Sequence, residues 1–183
     1  MNFIVLSGGT SRRFGSDKSQ AKIGDQTLLE TLCGYLPVGK LIVVGPKSSV
    51  DAIYLREAPE FSGPVAAIGA AISEVESELV GIFATDMPFA PFVIPQLKAA
   101  LTKDAALAID DEGQIQPLAG IYRTAPLKST LASFDSLTDK SMKSLISKLQ
   151  INRVPLVETS YLIDIDTEAA LSQAIALKSR LGL

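Results

Sequence analysis

The chain has 183 residues, a net charge of −3, one cysteine and no histidine. This length supports a single domain with a substantial core, and one cysteine excludes a disulfide framework or a cysteine-based metal cluster, pointing to a reducing, cytoplasmic setting. The acidic balance and the lack of any apolar run approaching roughly 18 residues argue against a nucleic-acid or membrane binder. Met1 leads straight into an apolar run with no basic region before it, so no signal peptide is expected.

In chain order, short runs of strand-forming residues alternate with helical patterns. Phe3–Leu6 reads as a strand and is followed, after a glycine-rich loop, by a helix over Leu28–Leu36. Strand Leu41–Val44 precedes a helix over Val65–Ile72, and strand Leu79–Ala84 precedes one over Val93–Leu101. Ala105–Ile109 and Ile115–Leu118 flank Asp111-Glu112-Gly113-Gln114, which reads as a hairpin tip. Helices at Leu127–Phe134 and Met142–Leu149, strands at Arg153–Val157 and Tyr161–Ile165, and a helix over Glu168–Leu181 complete the series. Pro37, Gly45-Pro46, Gly63-Pro64 and Met87-Pro88 punctuate segment ends. The alternation predicts an α/β class: one Rossmann-like layered domain over residues 1–183, with a mainly parallel central sheet, helices on both faces and a small antiparallel insertion. Ligands of such sheets bind beyond the carboxyl ends of the strands.

The stretch V-L-S-G-G-T-S-R-R-F-G-S-D-K, Val5 to Lys18, carries the strongest chemical signal. Residues 1–24 hold four cations, Arg12, Arg13, Lys18 and Lys22, against the one acid Asp17, so positive charge gathers at the glycine loop of an acidic protein. Glycines after a strand let amide groups approach an anion closely, which suits phosphate. A Walker A loop has four residues between its glycines and Lys directly after the second, whereas five separate Gly9 from Gly15 and Lys18 comes three positions later. The G-x-G-x-x-G dinucleotide fingerprint is also missing, so this is a third kind of phosphate loop. Without histidine, a metal here must sit on carboxylates, carbonyls and phosphates.

L-S-G-G-T-S-R-R-F-G-S-D-K resembles the signature L-A-G-G-x-S-x-R-M-G-x-D-K of the molybdenum cofactor guanylyltransferase family, with Ser7 and Phe14 as the departures. Gly63-Pro64, Thr85-Asp86-Met87-Pro88-Phe89, Gln116-Pro117-Leu118, Tyr122-Arg123 and Asp164-Ile165-Asp166-Thr167 follow in the family's order, so the resemblance covers nearly the whole chain. It implies transfer of GMP from GTP to the terminal phosphate of molybdopterin, with pyrophosphate released and Mg²⁺ as cofactor. Gly8-Gly9 with Asp17-Lys18 leans towards guanine, since cytidylyl-type relatives tend to differ at both places. The implied partners are GTP, molybdopterin and, transiently, molybdopterin-delivering proteins and molybdoenzyme chaperones. A related CTP-dependent or sugar nucleotidyltransferase and a non-catalytic nucleotide-binding module stand as alternatives.

The resemblance assigns roles along the chain. Lys18, Arg13 and Asp86 are the catalytic candidates, with the solvated surface as the simpler place for Arg12. Leu6, Ser7, Gly8, Gly9, Lys18, Gly45, Glu57 and Asp86 form the nucleotide-binding set, Glu57 being able to accept from the N1–H and amino group of guanine and reading equally as a solvated loop glutamate. Asp86, just after a strand, is the first Mg²⁺ ligand, against a plainer reading as a helix N-cap. Asp164 and Asp166, where the family usually has asparagine, alternate along the expected strand and so share a face, and Asp166 is equally an N-cap for the last helix. Gln116 and Arg123 are expected to face the acceptor, while Tyr122 reads as core.

Overall fold

A computed structural model of the chain describes residues 1–8 and 21–183. Strand β1 (Asn2–Leu6) is apolar on both faces, because Ile4 and Leu6 enter one core and Phe3 and Val5 the other. Such a strand belongs inside a sheet covered by helices on both sides. Around it form β4 (Leu41–Val44), β5 (Ile53–Leu55), β6 (Leu79–Ala84), β7 (Ala105–Ile109), β8 (Ile115–Arg123) and β9 (Ile151–Pro155). The seven strands lie in the order β5-β4-β1-β6-β8-β7-β9. Only β8 is antiparallel to its neighbours, and it is wedged between β6 and β7.

Helices α2 (Pro64–Ala71), α4 (Thr124–Ala132) and α5 (Met142–Ile146) cover one face, packing Val65, Ile68, Leu127 and Leu145 against Ile4, Ile42 and Ile82. Helices α1 (Leu28–Tyr35) and α3 (Ile94–Ala100) cover the other, where Leu32 and Leu97 meet Phe3, Val43 and Phe83. Burying one such large apolar side chain contributes about 1.5–3 kcal/mol. Helix α6 (Glu168–Arg180) closes a third cluster, in which Ala174 and Leu177 pack with Ile23, Leu28, Phe89 and Ile165.

The expected fold class therefore holds, with local differences. The antiparallel element of the expected hairpin is an integral strand of the main sheet, and a separate two-stranded antiparallel sheet forms from β2 (Lys22–Ile23) and β3 (Gln26–Thr27). The short edge strand β5 lies where no element was expected. Strand β9 starts two residues before the expected Arg153, because Ile151 and Asn152 pair with Ala105 and Ala106. The stretch Tyr161–Ile165 is not a strand: Thr159–Leu162 is a 3₁₀ turn capped by the Glu158 carboxylate, and an irregular segment leads from it to α6. Leu162 and Ile165 are the buried residues there, and a spacing of three serves a turn where a strand would need two.

Candidate active site

The sheet has a topological switch point beside β1, whose parallel neighbours β4 and β6 lie on opposite sides. Such a reversal opens a crevice beyond the carboxyl ends of the strands. The Ser7 amide donates to the Val44 carbonyl at 2.8 Å, and the Thr85 amide and hydroxyl both donate to the Leu6 carbonyl at 3.0 Å. These bonds pin the end of β1 between its neighbours. Gly45 has a φ of +155°, and a Cβ there would lie 2.1 Å from the Ser7 carbonyl oxygen, so only glycine lets the two loops touch.

Leu6, Gly8, Gly45, Glu57 and Asp86 line a single cavity of about 330 Å³ in this crevice. The chain thus brings together five of the candidates, while Ser7 touches the lining residues Val44 and Gly45 through its main chain. Gly9, Arg13 and Lys18 lie outside the described residues.

Asp86 is half-buried just past the end of β6. The Met87 amide bonds the Ala84 carbonyl at 3.1 Å, and the buried Met87 and Phe89 hold the turn down. The following 3₁₀ helix, Ala90–Val93, has Phe89 as its N-cap and no side-chain cap, so Asp86 does not cap a helix. The Ile165 amide donates to the Asp86 carbonyl at 2.9 Å, drawing the Asp164–Asp166 segment to the same end of the sheet. Since that segment is not a strand, the alternation expected to give the two aspartates a shared face does not apply there, and the Ile165 main chain bonds the segment to Asp86. Nor does Asp166 cap α6: Thr167 does, accepting from the Ala170 amide.

Glu57 accepts from the Phe61 amide at 3.0 Å and faces the cavity together with the Arg56–Glu60 ion pair, 2.8 Å between its atoms. Gln116 stands at the right end of the sheet, but its amide donates to Asp110 Oδ2 at 2.7 Å within the β7–β8 hairpin. Arg123 is separated from all of these. It pairs with Leu79 at the amino end of β6 and forms an ion pair with Glu78 at 3.0 Å, so the antiparallel course of β8 carries it to the opposite end of the sheet. Tyr122 is fully buried, its hydroxyl donating to the Pro117 carbonyl at 2.6 Å, and burial pushes its phenol well above the usual range.

Residues 3–154 match the model of the MobA-like NTP transferase domain. The chain belongs to that family. It is 32% identical over 189 aligned residues to a probable molybdenum cofactor guanylyltransferase of Mycobacterium avium, with 94% of this chain and 95% of that protein covered. A protein of the same description from a Geobacillus species is 30% identical, with 82% and 84% covered. A molybdopterin-guanine dinucleotide biosynthesis protein A from Archaeoglobus fulgidus has a similar structure, with a TM-score of 0.78 at 21% identity, covering 98% of this chain and 100% of that one. A nucleotidyl transferase from Methanothermobacter thermautotroptrophicus reaches the same TM-score of 0.78 at 14% identity, with 98% of each chain covered. At these identities the two structures establish the shared fold alone.

In this member of the MobA-like family, sequence reasoning missed the Arg56–Glu60 pair, Phe61 and Leu118, which also line the cavity. Their nearest signal was Gly63-Pro64: Gly63, with a φ of +90°, turns the chain from the cavity-lining loop into α2, which Pro64 starts. Among the described residues no three acidic or sulfur side chains converge into a preformed metal cage. The donors near the cavity are carboxylate and main-chain oxygens, a set that fits Mg²⁺, which takes one or two carboxylates and completes its shell with phosphate and water.

Proposed function

We propose that the chain is a molybdenum cofactor guanylyltransferase, moving GMP from GTP to the terminal phosphate of molybdopterin with release of pyrophosphate. The observation that best supports this is the meeting of Asp86 with Leu6, Gly8 and Gly45 in one cavity at the switch point of a MobA-like fold. In this reading the Leu6–Gly9 backbone contacts base and phosphates, while Lys18 and Arg13 offset the triphosphate charge. Glu57 accepts from the guanine edge. The attacking phosphate monoester, with a second pKa of about 6, is largely ionised near neutral pH and needs no strong general base, as suits a chain without histidine. Asp86, with Asp164 or Asp166, would hold Mg²⁺, which when bound offsets charge on the α- and β-phosphate oxygens. The acceptor approaches from the β8–β7 side, near Gln116, where a second cavity of about 520 Å³ opens beside Asp110 and Ile163. The reaction belongs in the cytoplasm, where molybdopterin-delivering proteins and molybdoenzyme chaperones are the transient partners.

Turnover of molybdopterin with Mg²⁺ and either GTP or CTP tests this. The guanine dinucleotide is the expected product. Product from CTP alone, or from neither nucleotide, overturns the assignment.

A further inference from the structure

Phe61 is a bulky side chain on a backbone with a φ of +64°, in the left-handed region, and it is 65% exposed while lining the 330 Å³ cavity. Both features run against its chemistry, since a Cβ disfavours that backbone region and an aromatic ring gains by burial. The surroundings hold it there. Its amide donates to Glu57 Oε1 at 3.0 Å, the neighbouring Ser62 is buried with its hydroxyl on the Pro59 carbonyl at 2.5 Å, and the Ser62 carbonyl accepts from the Asp139 amide at 2.8 Å. Strain that neighbours over-determine in this way concentrates at ligand clamps. Phe61 is also the one aromatic residue among the described residues that line the cavity.

Deepening the nucleotide reading above and resting on it, we propose that Phe61 is a specificity-determining residue whose ring stacks on the face of the bound nucleobase. Any base offers a π-face to an aromatic ring, and a purine offers more of it than a pyrimidine. The bond from the Phe61 amide to Glu57 holds the Phe61 backbone beside the carboxylate that reads the base edge. Ring and carboxylate then divide the work: Phe61 favours the larger base, and Glu57 separates guanine, which has a donor at N1, from adenine, which has an acceptor there.

The chain contains no tryptophan, so Phe61→Trp installs a single tryptophan at the site, excited selectively over the four tyrosines at its red edge. Its emission is expected to change when calorimetry shows GTP bound and to stay constant when inorganic tripolyphosphate binds. Phe61→Gly should hold or raise the melting temperature, because glycine accepts this φ without strain. The same variant should weaken GTP about tenfold or more while leaving tripolyphosphate affinity unchanged. A purely structural side chain could not move stability and base affinity in opposite directions. The proposal falls if Phe61→Gly binds GTP like the wild type, or if the tryptophan emission is the same with and without bound GTP. Binding and emission change with CTP but no binding of GTP would uphold the stacking role and overturn the guanine assignment. A wild-type protein that binds no nucleoside triphosphate overturns both.

Discussion

The amide of Ile165 donates a 2.9 Å hydrogen bond to the main-chain carbonyl of Asp86, joining the turn after β6 to the segment before α6. Ile165 is fully buried among Ile23, Phe89 and Ala174, so packing on one side of the main chain sets where the flanking aspartates stand on the other. In the proposed reading Asp86, which lines the cavity, is the principal carboxylate; Asp166 is half-buried like it, whereas Asp164 is exposed. An amide still offers a cation an oxygen but no charge. Asp86→Asn is therefore expected to abolish nearly all Mg²⁺-dependent turnover, while Asp164→Asn and Asp166→Asn retain a substantial part. Turnover measured against Mg²⁺ concentration checks this, and an active Asp86→Asn beside a dead Asp164→Asn or Asp166→Asn would reverse the metal assignment.

Gly45→Ala places a methyl group against the Ser7 carbonyl on a backbone that disfavours a side chain. Forced backbone of this kind costs on the order of 1–3 kcal/mol. The variant should melt earlier than the wild type and bind GTP more weakly, because relief of the clash displaces Ser7 and Gly8. Thermal melts with and without GTP measure both effects, and unchanged nucleotide protection would show that the contact serves stability only.

Lys18→Ala and Arg123→Ala should behave oppositely. In the proposed reading Lys18 offsets triphosphate charge, and losing one such donor raises the barrier by about 3–4 kcal/mol, so Lys18→Ala is expected to lower kcat by two to three orders of magnitude. Arg123 lies beside Glu78 at the far end of the sheet, in an ion pair with 38% and 82% of its side chains exposed. Such pairs contribute at most about 1 kcal/mol. Arg123→Ala should leave the KM for the acceptor unchanged, and a raised KM would return Arg123 to the acceptor site.

Glu30 forms a capping box with Thr27 at the start of α1 and accepts from the Ser49 hydroxyl. The Ser49 bond first, then the Thr27 amide and hydroxyl, hold its carboxyl below the ordinary value. A depressed folded-state pKa gives stability that is present above the unfolded value and lost as pH falls through the folded one. Glu30→Gln should therefore be less stable than the wild type at neutral pH, with the gap closing on acidification through and below the usual carboxylate range. Denaturant titrations at several pH values follow this directly.

Burial pushes the Cys33 thiol up to about 12, so little thiolate forms at pH 8. Because it is the single cysteine, its labelling reports on one place, the half-buried face of α1. Reaction with a thiol reagent should be slow in the native protein and fast in denaturant. Cys33→Ser should keep full activity; fast native labelling would mean that α1 opens well below global unfolding.

What the sequence determined by itself was local. Alternation of strand and helix follows from side-chain period, and the positions of Gly8 and Asp86 follow from the ends of apolar runs, because a run that ends at Leu6 or Ala84 must emerge from the sheet there. Strand direction, and with it the end of the sheet each residue reaches, came only from tertiary pairing. Gln116 and Arg123 share β8, yet its antiparallel seat between β6 and β7 leaves one near the crevice and sends the other away from it. The segment after β9 has a β-like composition, but burial of Leu162 and Ile165 against different clusters made it a turn and brought its main chain to Asp86. Phe61 was just as illegible, since its exposure and backbone strain arise from a loop held by Glu57 and by the distant Asp139, contacts that no local pattern records.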